Sequence, residues 1–137
     1  MTAPERAEPQ WLDARVALAI HDRQLAEHGG GGGVRDSGML ESALARPPNS
    51  WGYGENDPAA LAAAYAFGVA RNHPFVDGNK RTAWVLARLF LALNEQKLRF
   101  EPADAIATML ALATGQLPEE ELADWFRSRL LEGARST

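Results

Sequence analysis

Apolar residues recur at helical spacing along most of this chain. Between residues 11 and 28 they are Leu12, Val16, Ala19, Ile20 and Leu25, the kind of stripe a helix buries against a core. Five consecutive glycines, 29–33, then stop the helix. Ordering such a run costs much backbone entropy, so it reads as a mobile connector. Neither a dinucleotide fingerprint nor the Lys-Ser/Thr ending of a P-loop follows it, so it is not a phosphate loop. Asp36 or Ser37 can cap a short helix over 38–45. Pro47 and Pro48 should end that helix, because proline disfavours helical geometry in the residue before it. Residues 47–56 are rich in turn formers and carry Trp51 and Tyr53. They read as a small flap with room for a short β-hairpin. The two rings either form an exposed contact surface or fold back on the core.

Asp57-Pro58 marks the next helix start, a capping oxygen followed by proline in the first turn. Leu61, Ala64, Tyr65, Phe67, Gly68 and Val69 follow. A helix apolar almost all round belongs at the centre of a domain. It should end near Asn72 and His73, because Pro74 disfavours helical geometry at His73. A second apolar helix covers 79–94, with Trp84, Val85, Leu86, Leu89, Phe90 and Leu93. Residues 97–100 read as a short extended piece. Pro102 opens a helix to about Thr114, closed by Gly115. Pro118 and the acidic run Glu119, Glu120 and Glu121 open the last, where negative charge suits the positive helix end. No internal repeat is visible. The fold class is all-α, with a single domain over 10–132, a flexible N-terminal tail over 1–9 and a C-terminal tail over 133–137.

Composition narrows the function. The 137 residues fit one domain better than two. A formal charge of -4 gives no general reason to expect direct nucleic-acid binding. The chain has no cysteine, which removes disulfides, thiolate nucleophiles and cysteine metal sites. No apolar run reaches the roughly 18–20 residues a membrane helix needs, and the polar, acidic start lacks a signal-peptide stretch. A cytoplasmic protein is the simplest expectation.

The informative stretch is Asn72-His73-Pro74-Phe75-Val76-Asp77-Gly78-Asn79-Lys80-Arg81-Thr82, which joins the two most apolar helices. Short loops held between rigid elements are where function is best placed. His73 supplies an imidazole able to act as a general base near neutral pH. Phe75 is an apolar anchor for the loop. Asp77 offers a carboxylate suited to Mg²⁺, which commonly takes one or two carboxylates with phosphate oxygens and water. Gly78 tolerates positive φ and a close anion. Asn79, Lys80 and Arg81 open a helix whose first amides lack intrahelical partners, an arrangement that binds phosphate. Lys80 adds a point charge and Arg81 a bidentate fork. Taken singly, these residues would be a helix terminator, an N-cap and solvated charges. Together within nine residues they form the parts list for phosphoryl or nucleotidyl transfer.

The segment His73-Pro74-Phe75-Val76-Asp77-Gly78-Asn79-Lys80-Arg81 resembles the signature of the Fic/Doc superfamily, and specifically its Doc ("death on curing") branch. Residues 34–47 resemble the upstream segment of that branch, and the likeness runs from about residue 10 to 130. It implies a Fic/Doc-type helical bundle using ATP and Mg²⁺. His73 would be the base toward a protein hydroxyl, and Asp77 would hold the metal. Phe75, Gly78, Asn79, Lys80 and Arg81 would serve the nucleotide, with Lys80 and Arg81 gripping its phosphates. Trp51 and Tyr53 would lie on the flap that receives the target.

Two departures refine the expectation. Fic enzymes proper carry a second glycine after the asparagine and a second arginine three residues beyond the first; here Lys80 and Trp84 stand there. A lysine fills the room an α-phosphate would need. The resemblance therefore implies a toxin-type kinase that presents the γ-phosphate to a threonine or serine of a translation factor, elongation factor Tu. A cognate antitoxin, whose disordered segment folds on the toxin, would restrain it. The alternatives are an AMP transferase on the same fold and a non-catalytic co-repressor acting through its antitoxin. Ser128 to Gly133 also matches a short inhibitory pattern of some Fic proteins, but with Trp84 in place of the second arginine its Glu132 would have no partner.

Overall fold

A computed structural model describes residues 7–131. Six helices make up the described chain: α1 (Ala14–His28), α2 (Ser37–Gly52), α3 (Pro58–Asn72), α4 (Asn79–Leu93), α5 (Pro102–Ala113) and α6 (Glu119–Arg129). Two isolated β-bridges, Val34 with Phe75 and Leu98 with Leu130, are the only β pairing among the described residues. The fold is all-α, as expected, and the extended piece near residue 98 survives only as the second bridge. Among the described residues, no helix is long and apolar enough to cross a membrane. Glu132 lies outside the described residues.

Local chemistry explains most helix ends. Asp13 and Asp36 accept hydrogen bonds from the amides of Val16 and Met39. Asp57 accepts from Ala59 and is followed by Pro58 at the first turn. Pro102 opens α5. Three glutamates occupy the first turn of α6 and two arginines its last, an order that complements the helix dipole.

The central helix is α3, which packs against α2, α4, α5 and α6. Ten of its residues are buried, most of them alanine. Small side chains let the surrounding helices approach closely. The limit is reached at Gly68, where a Cβ would stand 3.2 Å from both Cα and Cβ of Ala43 on α2. One hydrophobic cluster extends from Leu12 to Phe126. Helix α1 lies across α4 and α2 on the outside of this cluster.

The structure corrects two expectations. Pro47 and Pro48 do not stop α2, which continues to Gly52. Residues 47–52 are therefore helical, and no hairpin forms in 47–56. Proline's fixed φ is itself near the helical value; its cost is a missing amide and crowding of the preceding turn. Burial of Pro47 and packing of Trp51 against the core offset that cost. The glycine run, for its part, does more than connect. The amide of Val76 donates to Gly33 O at 3.1 Å, and that of Arg35 to Pro74 O at 2.7 Å. The end of the run is thus tied along the loop between α3 and α4.

Candidate active site

The loop between α3 and α4 begins at His73. Its amide still donates to Val69 O, but its backbone is left-handed at φ 49°, ψ 56°. Pro74 disfavours helix at this position, and the left-handed turn is how the chain leaves α3. Arg35 holds it there: Nε donates to His73 O at 2.6 Å and Nη2 to Asn72 O at 2.9 Å. These carbonyls would otherwise be orphans of the helix end.

Phe75 then dives into the core at 1% exposure. Its ring stacks on His21 of α1, with centroids 3.8 Å apart. The Asn79 side chain closes the loop: Phe75 N donates to Oδ1 at 3.0 Å, and Nδ2 donates to Phe75 O at 2.9 Å. Gly78 sits at φ 79°, and no side chain caps the start of α4 after it. The Gly78 amide donates to Asp77 Oδ1 at 2.8 Å. The other carboxylate oxygen, Oδ2, faces Gly30, where a Cβ would stand only 2.6 Å away. Only a residue without a side chain can approach that oxygen so closely.

A cleft of about 410 Å³ opens over this loop, lined by His73, Val76, Asp77, Gly78, Asn79, Lys80, Arg81 and Ala113. His73, Asp77, Lys80 and Arg81 are all exposed. Among the described ion pairs, none involves Lys80 or Arg81. Imidazole, carboxylate and two cations thus converge on one uncapped helix end, a geometry suited to a polyanion. Among the described residues no three acidic or histidine side chains cluster as a metal cage.

Phe75 is buried and anchors the loop, as expected of its side chain. Asn79 lines the cleft, while its side-chain amide is bonded to Phe75. Trp51 and Tyr53, expected on a target flap, lie away from the cleft lining. Trp51 folds back, edge-on to Trp11 at 6.4 Å, whereas Tyr53 is 94% exposed beside a separate depression.

A second groove of about 550 Å³ shares Lys80 and Arg81 with the cleft and runs on past Trp84, Phe100, Ile106 and Met109. Trp84 is occupied there: it stacks on Phe126, meets Phe100 edge-on at 5.1 Å, and carries the Arg88 guanidinium over its ring.

The sequence profile of the Fic/DOC family matches residues 11–91, which spans α1 to most of α4. The chain belongs to the Fic/Doc family. Among its Fic/Doc relatives is "Protein kinase doc" of Escherichia phage P1, 36% identical over 111 residues, 80% of this chain and 87% of the phage protein. Another is "Toxin Doc" of Mycolicibacterium smegmatis, 48% identical over 68 residues, 47% of this chain and 52% of that protein. The Fic/Doc signature stretch coincides with the loop and first turn of α4. Arg35 and His21 contribute to the same site from outside it. Reading along the chain could not reveal their roles, since their partners lie 38 and 56 residues away.

Proposed function

We propose that this Fic/Doc protein is a toxin-type protein kinase. It would move the γ-phosphate of ATP to a threonine or serine hydroxyl of a translation factor, elongation factor Tu, and a cognate antitoxin would hold it in check. The observation that carries this reading is the single cleft in which His73 and Asp77 face the uncapped start of α4 with Lys80 and Arg81. The name of the phage relative, a protein kinase, supports the reaction class.

In this reading His73 takes the proton of the target hydroxyl as its oxygen attacks the γ-phosphorus. The bond from that phosphorus to the β–γ bridging oxygen breaks, and ADP leaves. The first amides of α4, Lys80 and Arg81 oppose the negative charge on the phosphate oxygens throughout. Asp77, exposed on the cleft, would hold Mg²⁺, and one carboxylate completed by phosphate oxygens and water fits that ion. When bound, the ion neutralises phosphate charge. Cytoplasmic action follows from the proposed target.

The antitoxin belongs to the proposal because a relative is named Toxin Doc. The groove beside the cleft supports it: Ile106 of α5, on its wall, is 68% exposed, and Lys80, Arg81 and Arg88 give the groove a basic rim. Such a surface suits an acidic amphipathic helix.

The test is incubation with Mg²⁺, elongation factor Tu and ATP labelled at either the γ or the α phosphate. The expected result is γ-label on the target, lost in His73→Ala by roughly 100- to 10,000-fold, the usual worth of a general base. Label from the α position would identify an AMP transferase instead. An inhibitory effect untouched by His73→Ala would identify a binding module.

A further inference from the structure

The floor of the cleft is braced from behind by a residue the chemistry above does not use. His21 lies on α1 and is 2% exposed. Its Nε2 stands 2.7 Å from the backbone oxygen of Asp77. A carbonyl oxygen only accepts, so Nε2–H donates. The same ring lies 8° from parallel with Phe75. It also packs on Gly78, where a Cβ would be 3.6 Å from both Nε2 and Cδ2. Phe75, Asp77 and Gly78 thus all rest on one buried imidazole.

The hydrogen bond falls on a sensitive peptide. The Asp77 carbonyl and the Gly78 amide belong to one planar trans unit, so their oxygen and hydrogen point in opposite directions. Fixing the oxygen toward His21 turns the Gly78 N–H the other way, where Asp77 Oδ1 accepts it. Gly78 itself cannot enforce that choice, because glycine adopts either sign of φ readily. With the peptide turned over, a carbonyl oxygen would face Asp77 Oδ1 in place of the Gly78 N–H, and the carboxylate would lose its anchor.

We propose that His21 is a positioning residue for the candidate active site. Its Nε2–H locks the Asp77–Gly78 peptide in the orientation in which the Gly78 N–H holds and aims the Asp77 carboxylate. The consequence for catalysis rests on the phosphotransfer reading above; the lock itself does not.

The experiment compares the full chain with His21→Phe, which keeps a ring on Phe75 but has no donor, and His21→Gln, which restores a donor without the ring. Hydrogen–deuterium exchange over residues 74–81, thermal melting, and γ-label transfer to elongation factor Tu at saturating ATP are read for each. His21→Phe is expected to remain folded, to exchange faster over 74–81 than wild type while α3 is unchanged, and to lose turnover by about tenfold or more, the scale seen when an orienting contact behind a ligand is removed. His21→Gln should recover most of both. Unchanged exchange and turnover in His21→Phe overturn the proposal, as does a folded His21→Gln as impaired as the phenylalanine variant. If His21→Phe does not fold, His21→Gln decides: wild-type exchange over 74–81 supports the lock, and faster exchange there refutes it. Failure of the kinase reading looks different, since wild type would transfer no label while the exchange contrast persisted.

Discussion

His73 holds a conformation that residues with a side chain seldom adopt. A left-handed non-glycine residue costs about 1–2 kcal/mol; at His73, with φ 49°, Pro74 disfavours the helical alternative and Arg35 engages the two carbonyls there. In the proposed reading, Lys80 is the residue on which reaction type turns. It lines the cleft, where a glycine would leave room for a deeper phosphate. Lys80→Gly is therefore expected to lower transfer of γ-label by about tenfold or more, since a charged donor aimed at the reacting phosphate is lost. Undiminished γ-transfer in that variant would refute the steric and electrostatic role given to the lysine. The gathering of His73, Asp77, Lys80 and Arg81 along one cleft was legible because they lie close together in the chain. The spending of Asn79 on Phe75 was not, because an asparagine at a helix start serves equally well as ligand contact or loop clamp until its partner is placed.

Among the elements, helix starts followed the sequence closely, since capping oxygens and first-turn prolines act within a few residues. The end of α2 did not. The effect of two prolines is local, whereas burial of Pro47 and the contact of Trp51 with Trp11 depend on the whole core. The glycine run gave the other incomplete reading. Its composition spoke of freedom, but one of its members is required by a close approach: Gly30 has φ 123° and leaves no space for a Cβ beside Asp77 Oδ2. Gly30→Ala is expected to displace the Asp77 carboxylate and to weaken Mg²⁺-dependent ATP binding, with helix content unchanged. Calorimetric titration of ATP with and without Mg²⁺ checks this. Identical Mg²⁺ dependence in the two proteins would show that the glycine is a connector and nothing more.

Across the whole molecule, the N-terminal segment is fastened to the central helix by one phenol. The amide of Leu12 donates to the Tyr65 hydroxyl at 2.9 Å, and the hydroxyl lies within 3.5 Å of Leu12 O. Burial pushes the Tyr65 hydroxyl up to about 12; the hydrogen bond to Leu12 opposes that shift and the charge of Asp13 adds to it. A tyrosine in the unfolded chain ionises near pH 10. Above that pH the unfolded chain releases a proton that the folded one keeps, so stability complete below about pH 10 falls as pH rises toward 12. Denaturant midpoints between pH 9 and 12 should show this fall, and Tyr65→Phe should flatten it while costing about 1–3 kcal/mol at neutral pH through the stranded Leu12 amide. An equal alkaline slope in both proteins would assign the loss to other groups. The bare start of α4 has a further consequence at this scale. Every other helix start here has a side-chain cap, an opening proline or a cluster of glutamates, whereas the end beside Gly78 has none of these. A ligand that supplies the missing cap becomes part of the fold's own hydrogen bonding, so how firmly the bundle holds together and how full its cleft is become one thermodynamic quantity.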